Sequence, residues 1–574
     1  MAVDRNITKS SSAEYFSKNL QQVGFSSYTK ATLTTVKEAI DNSLDACEDW
    51  GILPEISVVV ERLGVGGAKG ADLIKVTITD NGPGLTLDDA VNVFGQYLAS
   101  SKFGRGRCSR GQQGIGISAV TTWSQLTHGT GAVVITKTQK MKQAIKAEII
   151  VDIKKNKGAI KNKESIDWDR ETGVSCEFVM DARVQLNGDA GLITYLQGTA
   201  LVNPHLTIRH KLLDNEEVVI ERVTDFVPKI PERTSPHPHT MKLGEFLAHS
   251  HLFGKTTVRK WLKDGFSRVS EHVIGEMVKQ GTPASWFGKA LSTLKEDELK
   301  QIYAALQTVK LMAPPTKSVM SIGESDLAKS IQRLGEIDFF SVMSRKPTIC
   351  DFKPVQVEVA IARLKEKTNE VKEGPVQVLR FANRVPLQFD KAACAMSKAI
   401  ESVNWRPYGL IQPKKSLPQG PYIFAVSVVS PFIKFKNASK ETVDASDELV
   451  DEIRRTLQQC GQRLSAHIKR ETKAADVERK LQHIEQFAPI LVDGLCRITN
   501  ANKGRKAKAM EGLDKILGRD TKEAEKEFKQ AHNKSKDVTK KMAEKLDICH
   551  DKLHDKMHGI PESEPEKGQL DLLD

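Results

Sequence analysis

Residues 37–56 read KEAIDNSLDACEDWGILPEI, and the helix that ends inside this stretch sets the architecture of the first third of the chain. Between Ser27 and Trp50 the side chains Leu33, Val36, Ala39, Ile40, Leu44 and Cys47 recur at helical spacing, and Gly51 supplies a stop. Glu38, Asn42 and Asp45 stand at i, i+4 and i+7, so they line the face that the apolar set leaves over. A carboxylate and an amide then share one surface. An amide oxygen binds Mg²⁺ without adding charge, and a carboxylate one turn earlier accepts a proton from an attacking water. Taken alone, the three residues equally suit a solvated helix face.

Downstream, ISVVVERL (56–63) and LIKVTIT (73–79) read as strands, and GAVVITKTQ, AEIIVDIK and VSCEFVMDA supply more. An α/β sandwich over residues 27–228 is the expectation. Three further motifs fall on its connections. Asp80-Asn81-Gly82-Pro83-Gly84 follows a strand; Gly82 and Gly84 let backbone approach a planar base, and a carboxylate at a strand end accepts an exocyclic amino proton. Gly111-Gln112-Gln113-Gly114-Ile115-Gly116 enters a predicted helix at 117–123, where glycines ahead of the N-terminus aim free N–H groups at phosphate oxygens. It lacks the Lys-Ser/Thr of a Walker loop. Thr172-Gly173 precedes VSCEFVM, and its hydroxyl is placed to support Asp80 or a water beside it. Each motif alone also reads as a turn, a glycine-rich loop or a surface threonine.

Residues 1–26 are polar and Ser-rich with Tyr15, Phe16 and Phe25, the composition of an arm that lies across another surface. From 229 to 311 the breaker-rich PKIPERTSPHPH leads into GEFLAHS, TTVRKWLKD, SEHVIGEMVKQ and EDELKQIYAALQ, which predicts a small helical domain. Over 312–500 three β-type runs, FKPVQVEVAIARL, PVQVLRFANRVPL and PYIFAVSVVS, with a helix near 391–403 before the third, predict a second α/β unit with a crossover. A long amphipathic helix, carrying Leu449, Ile453, Leu457, Cys460, Leu464 and Ile468, leaves it over about 446–472. Residues 501–574 hold 17 basic and 16 acidic side chains and one aromatic, Phe528, too little to bury a core.

The 574 residues suit roughly three or four domains at about 150 residues each. With 85 Lys+Arg against 73 Asp+Glu the net charge is +12, which favours contact with a polyanion. Basic segments at 255–263 and 503–508 are its candidate phosphate contacts, or solvated helix surface. The 8 cysteines show no CxxC spacing, so neither a disulfide framework nor a thiolate zinc site is expected, and a reducing cytoplasm fits. No apolar window long enough for a membrane span occurs, and the start MAVDRNITKSSSAEYF has no signal-peptide pattern.

In this order and at these separations, the four motifs resemble the nucleotide-binding boxes of the GHKL ATPases, the superfamily of gyrase, MutL, the ninety-kilodalton chaperones and histidine kinases. KEAIDNSLDACEDWGILPEI, DNGPGL, SKFGRGRCSRGQQGIGIS, the helical insert and VNWRPYGLIQPKKSLPQGPYIFAV narrow the resemblance to the B subunits of archaeal-type DNA topoisomerase VI, over roughly residues 10–490. The resemblance implies an α/β (α+β) chain: a GHKL ATPase sandwich, a helix-two-turn-helix insert, and a transducer domain with a βαβ crossover and a long C-terminal helix. It implies Glu38 as catalytic base, Asn42 as Mg²⁺ ligand and Asp80, with Gly82 and Gly84, as adenine reader. Asp45 and Thr172 belong to the same expected ATP site. Lys102 to Ser118 becomes the ATP lid, with Lys102, Gly111, Gln112, Gln113, Gly114, Ile115 and Gly116 around the triphosphate.

The family's transducer lysine, which reaches the γ-phosphate, is best matched by Lys440, with Lys434 and Lys436 as rivals. ATP-dependent homodimerisation through the N-terminal arm is implied, and so is duplex DNA as substrate in a cytoplasmic, nucleoid-associated setting. The 7 tyrosines include no convincing cleavage nucleophile, so a partner A subunit in an A2B2 heterotetramer is implied as well. The alternative is a GHKL clamp of mismatch-repair or chaperone type, without topoisomerase activity.

Overall fold

The structure, a computed structural model, describes residues 10–100, 106–111, 114–188, 190–365, 374–414, 416–437, 439–513 and 515. Lys102, Gln112 and Gln113 of the expected lid, residues 1–9 of the expected arm and residues 516–574 of the expected extension lie outside them.

The chain begins with α1 (Ser12–Lys18), whose cap residue Ser11 accepts the Glu14 amide at 3.0 Å. Ser11 also donates to the Ile153 carbonyl, Phe16 stacks on Tyr97 at 5.3 Å, and Ala13, Leu20, Val23 and Phe25 enter the first core. The described part of the arm therefore lies across its own domain. Too few apolar residues to fold alone, but enough to cover a neighbour, is what its composition dictates.

Next come α2 (Tyr28–Asp49), β1 (Glu55–Val65), β2 (Asp72–Thr79), α3 (Leu87–Gly95) and α4 (Gly116–His128). They are followed by β3 (Ala132–Lys137), β4 (Ala144–Asp152), β5 (Lys157–Ile166), β6 (Gly173–Ala182), α5 (Leu192–Val202), β7 (Thr207–Leu212) and β8 (Val218–Ile220). The eight strands form one sheet in the order β5-β4-β3-β6-β2-β1-β7-β8. Only β1 with β7 runs parallel. The inward residues of the alternating strands, among them Val58, Ile74, Val76, Phe178 and Met180, meet Val36, Ile40 and Leu44 of α2. Burying that apolar seam leaves the polar face of α2 pointing at α4 and the loops before it.

Helices α6 (Leu243–His251), α7 (Val258–Gly265), α8 (Glu271–Lys279) and α9 (Glu296–Thr308) make the helical insert. Trp261, Phe246, Phe266 and Phe287 fill its separate core.

After α10 (Glu324–Ile331), the strands β9 (Ile337–Ser344), β10 (Thr348–Cys350), β11 (Lys353–Leu364), β12 (Gln377–Ala382) and β13 (Val385–Leu387) precede α11 (Ala395–Ser402) and β14 (Tyr422–Val429). The sheet runs β10-β11-β14-β12-β13, with β9 on β11. Strands β12 and β14 are parallel, which requires the crossover through α11. The chain then enters α12 (Asp447–Ile498), a helix of 52 residues. At 1.5 Å per residue that is roughly 78 Å. The expected span ended near 472; good helix formers continue past it, and Pro489 is accommodated without a break. A third cluster, with Leu201 and Val202 from the end of α5 against Phe340 and Phe381 of the second sheet, joins the two α/β units.

Candidate nucleotide site

Helix α2 is capped by Ser27, whose hydroxyl accepts the Lys30 amide, and this fixes the phase that sets Glu38, Asn42 and Asp45 in a row. Glu38 faces the start of α4. A methyl at Gly116 would collide with the Glu38 carboxylate, so glycine here lets the Glu38 side chain lie against the α4 N-terminus. Ile115 sits at the cap position of α4, and its carbonyl accepts the Ala119 amide at 2.9 Å. Gly114, with φ +61°, is tied back by the Leu98 amide at 2.8 Å. Asn42 lies one turn beyond Glu38, half-buried.

Strand β2 delivers Asp80, because the antiparallel ladder with β6 continues one residue past Thr79: the Asp80 amide donates to the Val174 carbonyl at 2.9 Å. Asp80 is buried, and burial raises its pKa above the ordinary carboxylate value despite three donors. The amides of Gly82 and Val174 donate to Oδ1 at 2.9 and 3.0 Å, and the Ser43 hydroxyl donates to Oδ2 at 2.6 Å. With two lone pairs per oxygen, Oδ1 is saturated and Oδ2 keeps one acceptor position. Gly84, at φ +74°, packs on the Lys137 carbonyl where no side chain fits. Thr172 is half-buried, and among the described residues its hydroxyl makes no hydrogen bond to Asp80; Ser43, one residue after Asn42, supplies that support.

Asp45 is committed to the loop before α4. Its Oδ1 accepts Arg110 Nη1 at 2.8 Å and its Oδ2 accepts the Gly111 amide at 3.2 Å. Arg110 also donates to both Glu48 oxygens at 2.8 Å and to Asn203 Oδ1 at 2.5 Å. Burial opposes the charge on Arg110, but Glu48 and then Asp45 raise its pKa on balance. A buried guanidinium on two carboxylates fixes the base of the lid.

Lys440 arrives from the other domain. The segment after β14 turns back on itself through Lys436 N to Thr442 O at 3.0 Å and Asp444 N to Lys434 O at 2.8 Å. Lys440 stands near its tip with φ +55°, and its Nζ donates to the Arg110 carbonyl at 2.9 Å. Burial pulls its pKa down, while Glu38, Asp41 and Asp45 pull it up. Two lysines of α2 clamp the same tip: Lys30 pairs with Glu441 at 2.8 Å and Lys37 reaches the Ser439 carbonyl at 3.4 Å. Lys434 is exposed and pairs with Asp444 at 3.3 Å, and Lys436 is exposed. Of the three candidate lysines, Lys440 is the one whose side chain hydrogen-bonds to the lid among the described residues.

The described residues hold no group of three or more His, Cys, Asp or Glu side chains arranged as a metal cage. Asn42, half-buried one turn beyond Glu38, offers an amide oxygen, a ligand type that hard cations such as Mg²⁺ accept. Sequence reading passed over Ser43, Glu48 and Arg110. Glu48 carried a signal, since it follows Asp45 by three residues on the same helix face.

The family described as histidine kinase-, DNA gyrase B-, and HSP90-like ATPase matches residues 29–157. The family described as topoisomerase VI B subunit, transducer matches residues 314–480. The B subunit of type 2 DNA topoisomerase 6 from Archaeoglobus fulgidus is 34% identical over 487 residues, 85% of this chain and 79% of that protein. Its counterpart from Methanococcoides burtonii is 35% identical, covering 84% and 76%. The one from Pyrococcus furiosus is 30% identical, covering 85% and 91%. With an ATPase unit ahead of a transducer and relatives of one kind along most of its length, the chain belongs to the family of type 2 DNA topoisomerase 6 B subunits, the ATP-driven subunits of a type II topoisomerase.

Proposed function

We propose that the site hydrolyses ATP with Glu38 as general base, and that Lys440 reports the γ-phosphate to the transducer. The observation that carries this reading is the convergence of Glu38 on Gly116 and of Lys440 on Arg110, from two domains, upon the glycine-rich loop. The open acceptor position on Asp80 Oδ2 suits the exocyclic amine of adenine, with Gly82 and Gly84 giving the base a flat approach. The amides of Gly114, Ile115 and Gly116 suit a triphosphate at the α4 N-terminus, with Gly111 anchored to Asp45 beneath them, and the family resemblance assigns Lys102, Gln112 and Gln113 to the same triphosphate. Asn42 would hold Mg²⁺ through its amide oxygen, and the ion would supply neutralisation of phosphate charge. Glu38 orients a water and takes its proton, and Lys440 meets the charge that develops on the γ-phosphoryl oxygens. Asp45 acts at one remove, by holding the lid through Arg110 and Gly111.

Loss of the γ-phosphate removes the ligand that Lys440 and the lid share, and α12 carries the resulting motion of the transducer away from the ATPase domain. ATP binding joins two copies of the chain, and a partner A subunit supplies the cleavage tyrosine, in an A2B2 assembly that passes one DNA duplex through another in the cytoplasm, at the nucleoid. The stripe of Phe487, Ile490, Leu491, Leu495 and Ile498, exposed at helical spacing at the far end of α12, suits docking of that partner. The domains follow as arm (1–26), ATPase (27–228), helix-two-turn-helix (229–311), transducer (312–500) and charged extension (501–574). No described helix is long and apolar enough to cross a membrane. The test is ATP-dependent relaxation of supercoiled plasmid by this chain mixed with a candidate A subunit; no association under any nucleotide condition would reject the assembly.

A further inference from the structure

Strands β12 and β13 are joined by a two-residue turn, Asn383-Arg384, closed by the pair Ala382 and Val385. Both turn residues have positive φ, +49° and +65°. This turn prefers Asn-Gly, and a side chain at its second position is strained. Asn383 uses its own side chain locally, accepting the Ser430 amide at 2.9 Å. Arg384 spends its side chain on the other domain.

That guanidinium is buried. Its Nε donates to the Val202 carbonyl at the end of α5 at 3.1 Å, and its Nη2 reaches His205 Nδ1 at 3.4 Å and Glu48 Oε1 at 3.3 Å. The same Glu48 Oε1 accepts Arg110 Nη2 at 2.8 Å and meets His205 Nε2 at 2.9 Å. One carboxylate oxygen on α2 thus receives a lid arginine, a transducer arginine and the imidazole between them. Asn203 repeats the link, accepting from Arg110 through Oδ1 and donating to the Arg384 carbonyl through Nδ2 at 3.3 Å. Among the described residues, buried Arg384 Nη1 has no hydrogen-bond partner.

We infer that Arg384 is a positioning residue for the ATPase reaction, holding the lid base from the transducer side through Glu48 and Arg110, along a route separate from Lys440. The inference rests on the nucleotide-site reading above. Arg110 sets the place of Gly111 and of the amides that follow, so anything that fixes the Arg110 guanidinium preorganises the phosphate cradle. Arg384 touches neither substrate nor reacting atoms; its effect falls on how well nucleotide orders the lid.

The test uses the full chain. Arg384→Gln is expected to raise KM for ATP about tenfold with kcat changed less than threefold, the scale of an ordinary coupling between sites. Arg384→Lys, which keeps a charge but loses the fork, is expected to fall between it and wild type. At a saturating nonhydrolysable ATP analogue, hydrogen exchange at residues 106–111 and 114–116 should be faster than in wild type. Combined with Lys440→Ala, the Arg384→Gln effect should persist in full, whereas combined with Glu48→Gln it should largely vanish. Wild-type KM and lid protection in a folded Arg384→Gln protein would overturn the inference, as would disappearance of its effect in the Lys440→Ala background. If Arg384→Gln does not fold, Arg384→Lys decides by the same two readouts. Failure of the wild-type chain to bind ATP would instead defeat the underlying site reading.

Discussion

Lys440 Nζ donates to the main-chain oxygen of Arg110, 2.9 Å away, so a transducer side chain is already hydrogen-bonded to the lid through backbone rather than through a competing carboxylate. Such a bond is exchanged for a phosphate contact at small cost. Lys440→Ala should therefore lower ATP turnover by about 10²-fold, the usual loss when one donor to a developing oxyanion is removed. It should also weaken analogue-driven dimerisation, seen as a lower sedimentation coefficient. Lys434→Ala should do neither, and equal losses from the two variants would dismiss Lys440.

Glu38 stands over Gly116 with no space for a methyl between them. Glu38→Gln keeps the shape and removes the base, so turnover should drop by about 10²–10⁴-fold. Binding of the ATP analogue and dimerisation should survive, as measured by calorimetry and sedimentation. Unchanged turnover would show that water is activated by another group.

Asp80 has one free acceptor position, on the oxygen that Ser43 supports. In Asp80→Asn the amide nitrogen must face either two backbone N–H donors or the Ser43 and adenine side, so one donor always meets another. ATP affinity should fall at least tenfold, about 1.4 kcal/mol, and the melting temperature should fall with it. Ser43→Ala should cost less in affinity, because Oδ2 still accepts. Calorimetry on both variants checks the order.

Much of this site was legible in the sequence, for definite reasons. The α2 face announced itself because six apolar residues set the helix phase and left Glu38, Asn42 and Asp45 on the other side. Asp80 announced itself because a β-run ended in DNGPG. The hydroxyl that meets Asp80 directly is that of Ser43 and not Thr172, since which hydroxyl reaches it depends on how α2 packs against the sheet, a tertiary fact without local signal. Strand β5 is mostly polar and exposed because it forms a sheet edge, so alternation could not reveal it. The Arg110 network draws on α2, the lid and the segment after α5, and no local pattern links residues so far apart. The stop of α12 was placed about 26 residues early because the apolar stripe that packs on the transducer ends near Ile468, whereas the helix itself does not.

Burial pulls the His205 imidazole from its ordinary 6.5 down to about 4. Between those values the unfolded chain carries a proton that the folded chain lacks. The contribution of His205 to stability is therefore complete above pH 6.5 and is lost as pH falls, at up to ~1.4 kcal/mol per pH unit. Asp41 acts in the opposite sense: burial raises its carboxyl from 3.8 to about 7, so the folded chain keeps a proton and gains stability as pH falls through that window. In wild type the two offset each other. His205→Gln leaves Asp41 alone, so relative to wild type the variant should gain on the order of 1 kcal/mol or more between pH 7 and pH 5. Urea unfolding at both values measures it, and a difference that stays flat would mean that His205 does not resist protonation.

The stripe on distal α12 bears on assembly. Phe487, Ile490, Leu491, Leu495 and Ile498 are 52–81% exposed, spaced by three, one, four and three residues, and so lie on one face over three turns. Among the described residues the transducer core leaves them exposed, although Leu449, Ile453, Leu457 and Leu464 on the same helix are buried. Covering a leucine or isoleucine is worth about 1.5–3 kcal/mol, so an aspartate at two of these positions should abolish a docking interface of that size. Leu491→Asp with Ile498→Asp should stop co-purification with the A subunit and plasmid relaxation, while the isolated chain still binds ATP analogue and dimerises. Retained co-purification would move the partner's docking surface off this helix end, and joint loss of nucleotide binding would mean that the substitutions had unfolded more than the stripe.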